Sequence, residues 1–332
     1  MILALPFFNM ATLMALSIAT MVSFIIGYLL TRENLINKKP FRMAFLIIGL
    51  LSVLFFLVLF KYKYIQDIFI KDKGIFGFKD YSFVFLIGVS YSSFKMMHFL
   101  IESYKKKIDK SNIFYYFSFI FFFPSFISGP INKYNHYIEQ LCPNDTTPLK
   151  KDLSTGIRRV IHGLFKKLVL GTLLYPYILP NLPNSFHETP LINLVLGFYA
   201  YAIYFYLDFS SYSDIAIGCA SMLGIQLPEN FENPFFKKNI QQLWSAWHMT
   251  LTGWLTDNIY WPIVRKLRSK TFFKKHPVFL SNFSIIITFI ACGIWHGETV
   301  NFLIWGLYHG IGISIVNIYQ KAKRKITNNQ IR

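Results

Sequence analysis

The sequence predicts an all-α polytopic membrane protein. Three observations carry that expectation: the apolar and aromatic content, a succession of apolar runs of membrane-helix length, and cations gathered into the stretches between those runs. Of 332 residues, 54% are hydrophobic, 19% aromatic and only 15% charged, against about 25% charged in a typical soluble chain. The mean hydropathy is +0.39. The 36 Phe and 20 Tyr exceed what one soluble core of this length accommodates. A disordered chain, a coiled coil and a disulfide-stapled module are excluded on the same grounds. The 34 Lys+Arg against 16 Asp+Glu give a formal charge of +18, which in a soluble domain would point to nucleic acid. Set between apolar runs, these cations answer anionic head groups and the positive-inside rule instead, and no nucleic-acid partner is expected. Cys142, Cys219 and Cys292 are odd in number and far apart, so neither a disulfide framework nor a metal site follows.

Taken in order, residues 1–31 carry no charge. Within them, 11–30 are long enough to cross a hydrocarbon core of about 30 Å as a helix. The segment lacks the basic start and small-residue cleavage site of a signal peptide, so it is expected to be retained. Further spans are expected at 45–60, 83–101, 113–127, 160–178, 191–207, 279–294 and 302–318. Several are short, which predicts tilted, re-entrant or protein-buried pieces. The loops are basic on both sides of the second span, with Arg32, Lys38, Lys39 and Arg42 before it and Lys61, Lys63, Lys71, Lys73 and Lys79 after it. Charge therefore leaves orientation open, with a lean toward an outside N-terminus. No repeat or long linker divides the chain, so a single integral domain over 1–332 is expected.

Polar groups inside such runs are the places to look for function. In FPSFISGPINKY, 123–134, two prolines and a glycine break a helix expected to have crossed most of the bilayer; the break lines water or protein, or is an interfacial turn. In LDFSSYSDIAIG, 207–218, two acids at membrane depth would suit a metal or proton site, but Asp208 and Asp214 fall about 600° apart on a helix and not on one face, and Asp208 followed by serines is expected instead to cap a new helix. In 227–268, Trp244, Trp247, Trp254 and Trp261 among charged and amide side chains predict interfacial helices with rings at head-group depth; His248 lies at their centre. In ACGIWHGETVNFLIWGLYHG, 291–310, His296 follows an apolar run and is flanked by Gly293 and Gly297. A histidine there is neutral near pH 7 and suits a general base, or it is a satisfied core residue.

Six blocks stand in order along the chain: GVSYSSFKMMHFLIE from Gly88, FFPSFISGPI from Phe122, GLFKKLVLG from Gly163, DFSSYSDIAIGCASMLGIQLPENFENPF from Asp208, WHMTLTGWL from Trp247 and WHGETVNFLIWGLYHG from Trp295. Over about 88–310 the chain thereby resembles the membrane-bound O-acyltransferases, in the bacterial branch of alginate and peptidoglycan O-acetylases and teichoic acid D-alanyl transferases. The resemblance implies a helical core of tilted, re-entrant and interfacial helices around a buried histidine funnel. It implies acyl transfer from a thioester to a hydroxyl, with the family's catalytic histidine falling on His296 and the second on His248. By the same blocks Trp295, Asn230, Trp247 and Asp208 are expected to meet substrate. Two departures stand out. Ala246 and Thr256 occupy positions where these enzymes often carry arginine, so donor docking is expected from cations elsewhere, including Lys237, Lys238 and Arg265. The chain also ends 23 residues after His309, where longer relatives continue, which suggests a compact version or reliance on a partner subunit.

The leading functional expectation is transfer of an acetyl group to a cell-envelope polysaccharide, in an integral, multi-pass inner (cytoplasmic) membrane protein. No bound cofactor is expected; the co-substrate is an acyl thioester, acetyl-CoA or an acylated carrier protein. Expected partners are membrane lipid, the polysaccharide, and either an acyl carrier protein or an extracytoplasmic acyltransferase. The alternative inside the family is D-alanyl transfer from a carrier thioester to teichoic acid. Outside it stands a non-catalytic acyl-group transporter, against which both histidines in their blocks and the lack of internal hydropathy symmetry weigh.

Overall fold

The computed structural model describes residues 10–32, 38–66, 88–108, 111–142, 152–179 and 189–330. Every regular element among them is helical. Five helices are long and apolar enough to cross a membrane: Leu13–Thr31, Lys39–Lys61, Leu191–Met222, Pro277–His296 and Val300–Arg324. Contacts divide the chain into two compact units, Met1–Pro228 and Glu229–Arg332.

The first unit opens with α1 (Met10–Thr31), α2 (Lys39–Lys61), the single turn α3 (Lys63–Gln66) and α4 (Val89–Tyr104). Lys71, Lys73 and Lys79, and the first residues of the span expected at 83–101, lie outside the described residues. Phe24, Phe99, Tyr116 and Tyr134 build the aromatic core, with Phe99 and Tyr116 centroids 4.3 Å apart. Ser23 Oγ and the Tyr116 hydroxyl lie 2.7 Å apart inside it, satisfying both buried polar groups. The expected span at 113–127 is corrected: α5 (Ile113–Ile120) has only eight residues, about 12 Å of helix, too short to cross. Pro124 turns the chain into a 3₁₀ turn, Phe123–Ser125. The carbonyls released at the end of α5 are taken by Lys95, 1% exposed, which donates from Nζ to the Phe119 carbonyl and Ser125 Oγ, both at 3.0 Å. The Tyr212 hydroxyl reaches the backbone at Ile127 and Ser128. The break is thus lined by protein. After it comes α6 (Tyr134–Leu141).

The chain then forms α7 (Leu153–Phe165), capped by Asp152 accepting from Thr155 N at 2.8 Å, and runs through a π turn, Lys166–Gly171, into α8 (Thr172–Leu174). It returns as α9 (Leu191–Met222). Here a second expectation is overturned. Asp208 caps nothing, because α9 passes unbroken through it. Its carboxylate instead meets Lys167 Nζ at 2.6 Å, and Asp214 meets Arg159 Nε at 3.0 Å, Lys166 Nζ at 2.7 Å and His162 at 3.5 Å. Glycines permit this: a Cβ at Gly156 would press on the Gly218 carbonyl, so the two backbones meet directly. Asp214 is buried and its partners are half-buried, whereas the Asp208 pair is exposed. Asp214→Ala is therefore expected to destabilise the protein by about 3 kcal/mol, leaving two cations without their counter-charge, and Asp208→Ala by less than about 1 kcal/mol. Thermal melts in detergent check this; equal shifts would contradict it.

The second unit holds α10 (Ile240–Ala246), α11 (Met249–Leu255), α12 (Trp261–Leu267), α13 (Thr271–Lys275), α14 (Pro277–His296) and α15 (Val300–Gln330). A π turn, Thr256–Tyr260, joins α11 to α12. Antiparallel α14 and α15 pack backbone to backbone, since a Cβ at Gly293 would collide with the Phe302 carbonyl and one at Gly306 with the Phe289 carbonyl. Asn317 of α15 donates to Asn282 Oδ1 of α14 at 2.6 Å. None of α10 to α13 exceeds seven residues, as short interfacial pieces require. Trp244 packs inside this unit. It is buried against Phe289 of α14 and Trp305 of α15.

Candidate active site

The segment after Pro228 is held against the start of α11 by backbone bonds: Met249 N to the Asn230 carbonyl at 2.9 Å and Glu232 N to the Ala246 carbonyl at 3.0 Å. This places Asn230, fully buried, beside His248. Asn230 Oδ1 collects three donors: Thr250 Oγ1 at 2.9 Å, Thr250 N at 3.4 Å and His248 Nδ1 at 3.1 Å. A backbone N–H can only donate, so the atom facing it is the amide oxygen and not the nitrogen. That fixes the imidazole too: Nδ1 carries the proton and the basic lone pair sits on Nε2. His248 holds a left-handed backbone, φ 43° and ψ 50°, a conformation that non-glycine residues adopt at a cost of about 1–3 kcal/mol and that concentrates at functional sites. Burial first, and charge on His296 second, drive its pKa from 6.5 down to about 3. His248 is a neutral imidazole in a dry setting, within electrostatic reach of His296.

His296 is the last residue of α14. Rings enclose it: Trp295 at 4.6 Å between centroids, Trp305 edge-on at 4.9 Å and Phe302 stacked at 6.1 Å. The wall continues through His309, 4.7 Å from Trp305, whose Nδ1 accepts from Trp244 Nε1 at 3.2 Å. An indole N–H only donates, so His309 Nδ1 is unprotonated. These aromatic planes set His296 as a polar group on a largely apolar, ring-lined surface.

Of the residues expected from sequence, Asn230, Trp247, His248, Trp295 and His296 fall within this unit, and Trp247 packs edge-on against Phe231 at 5.1 Å. Asp208 belongs to the first unit and is taken up by Lys167. Lys237 lies 3.7 Å from Glu232, and Arg265 lines a cleft formed by α12 to α15. Sequence reasoning missed Thr250 as the third donor to Asn230, and Trp244, Trp305 and His309 as the wall. The spacing of Trp305 and His309, four apart in WGLYHG, puts both on one helix face and was the available signal. Ala246 is 1% exposed, so an arginine there would be forced into the packed interior, and Thr256 turns inward to donate to the Thr252 carbonyl at 2.7 Å.

The sequence profile of the membrane-bound O-acyltransferase family matches residues 7–330. The "Teichoic acid D-alanyltransferase" of Bacillus subtilis (strain 168) is 32% identical over 250 residues, 74% of this chain and 62% of that protein. The protein of the same name from Streptococcus thermophilus is 29% identical over 249 residues, 74% of this chain and 60% of its own length. The "Peptidoglycan O-acetyltransferase" of Helicobacter pylori is 26% identical over 322 residues, 87% of this chain and 58% of the relative. The chain thus spans about three fifths of the length of these relatives. With the profile covering nearly the whole sequence and five apolar helices of spanning length, the chain is a membrane protein that belongs to the membrane-bound O-acyltransferase family.

Proposed function

We propose that the chain is a multi-pass protein of the cell membrane that moves an acyl group, acetyl in the leading reading, from a thioester to a hydroxyl of an envelope polysaccharide. The observation that carries it is the pair of imidazoles in one unit, one neutral and tautomer-locked, the other walled by rings. An alcohol attacks a thioester carbonyl only as a base takes its proton, a contribution of about 10²- to 10⁴-fold. His296 is that base. His248, with its lone pair on Nε2, accepts a hydrogen bond from the acceptor hydroxyl or from His296 and holds it in line. The leaving thiolate takes the proton as the new ester forms. Asn230, Trp247 and Trp295 are proposed to meet substrate beside the two imidazoles, where burial would keep water from competing for the thioester. Asp208, in the first unit, is kept as a proposed contact for the acceptor.

Mass spectrometry of envelope polymers from a deletion strain tests this, because the mass that disappears names the acyl group. Unchanged O-acyl content overturns the proposal. D-alanyl transfer to teichoic acid remains a second reading, favoured by one observation: the 32% identity to the Bacillus subtilis D-alanyltransferase exceeds the 30% to a probable alginate O-acetylase of Pseudomonas putida and the 26% to the peptidoglycan enzyme.

The donor is proposed to be drawn in by a basic rim, with Lys237 and Lys238 leading, since acetyl-CoA and an acylated carrier both bear phosphate. Reversing both charges is expected to raise the donor KM at unchanged kcat and unchanged membrane level, with the difference fading as salt rises past a Debye length of about 8–10 Å. Normal kinetics with reduced insertion would contradict donor attraction.

A further inference from the structure

We infer that the cleft between α12, α13, α14 and α15 is a binding site for the phosphate head group of an anionic phospholipid. The cleft encloses about 870 Å³. Arg265, Arg268, Lys274 and Lys321 converge on it, and Phe273 and Leu280 form an apolar side. Among the described residues no carboxylate lies within salt-bridge distance of any of the four cations. The stretch from Arg265 to Lys275 contributes six cations and no acid. Four like charges drawn into one concave space repel one another, and an anion resolves that repulsion. Two guanidinium forks suit phosphate oxygens, which they grip in bidentate fashion.

The place in the fold selects the source of the phosphate. Leu280 and Ser281 belong to the opening turns of α14, and Lys321 to the closing turn of the apolar stretch of α15. The cleft therefore sits where two candidate spans end, at the depth of lipid head groups. The positive end of the α14 dipole adds to the field there. An apolar wall beside the cations matches an amphiphile whose glycerol and acyl chains continue into the membrane, and a small soluble phosphate has no use for it. Tyr260 and Asn317 both bond Ser281 Oγ, at 3.1 and 3.3 Å, so the floor of the cleft is fixed. The inference is independent of acyl transfer and stands or falls separately from it.

Native mass spectrometry of the full chain in neutral detergent tests it, with phosphatidylglycerol, phosphatidylcholine and coenzyme A as separate probes. The expected result is retention of phosphatidylglycerol over phosphatidylcholine, weakened at least about tenfold by the double substitution Arg268→Ala and Lys321→Ala, as loss of two charge-assisted contacts implies. Lys321→Arg, which keeps the charge, should retain phosphatidylglycerol as the wild-type chain does, where Lys321→Ala weakens it. An unchanged melting temperature without lipid establishes that the double variant is folded; should it not fold, Lys321→Glu replaces it. Undiminished phosphatidylglycerol binding in the folded variant overturns the site. Coenzyme A binding lost on the same substitutions while phosphatidylglycerol binding persists overturns the lipid assignment.

Discussion

On the proposed mechanism, His296→Ala is expected to cut acyl transfer severely while the protein still inserts and folds. The expected loss is about 10²- to 10⁴-fold in kcat/KM, or about 3–5 kcal/mol of transition-state stabilisation. His296 closes α14 rather than spanning its middle, and its neighbour Trp305 is also held by Trp244 and His309. Truncation at the helix end thus removes a reactive group and little of the α14–α15 contact, which rests on Gly293 and Gly306. The melting temperature should move little. Activity within a few-fold of wild type would remove His296 from the chemistry.

His248→Ala is expected to reduce kcat less than the loss of His296, since the proposed mechanism has His248 orient a hydrogen bond and gives the proton to His296. Its second signature lies in pH. The folded imidazole binds a proton only near pH 3, the unfolded one near 6.5. Between those values the unfolded chain is the one that takes up the proton, so His248 lowers stability as pH falls through that window and leaves it unaffected above. His248→Gln should flatten that part of the acid sensitivity. In the neutral range His248 does not titrate, so the acid limb of kcat/KM should persist in His248→Ala with a slope of one. A limb that vanishes with His248 would make it the titrating base.

The membrane class and most of the spans were legible because hydrocarbon demands an apolar run of fixed length, and α1, α2, α14 and α15 supply one. The failures have local causes. At 113–127 the apolar count hid the helix break, since Lys95, distant in sequence, supplies the donor that lets α5 stop at Ile120. At Asp208 the serines imitated a cap, while the cations that make the acid tolerable mid-helix lie in the preceding hairpin arm. The partner of Trp244 was hidden too, since its indole N–H is satisfied by His309, 65 residues on. For the site, the histidines, Asn230 and the paired tryptophans stood out as polar or aromatic interruptions. Thr250 and His309 did not, because what distinguishes them is a partner and not a pattern.

The central claim is that His296 and His248 serve one reaction from one chamber. A double-mutant cycle on kcat/KM tests it most directly, using the wild-type chain, His296→Ala, His248→Ala and the double variant with donor thioester and envelope acceptor. Groups that act as a unit are strongly non-additive, so the double variant should be no slower than His296→Ala alone. Losses that simply add would place the two imidazoles in separate roles and contradict the account.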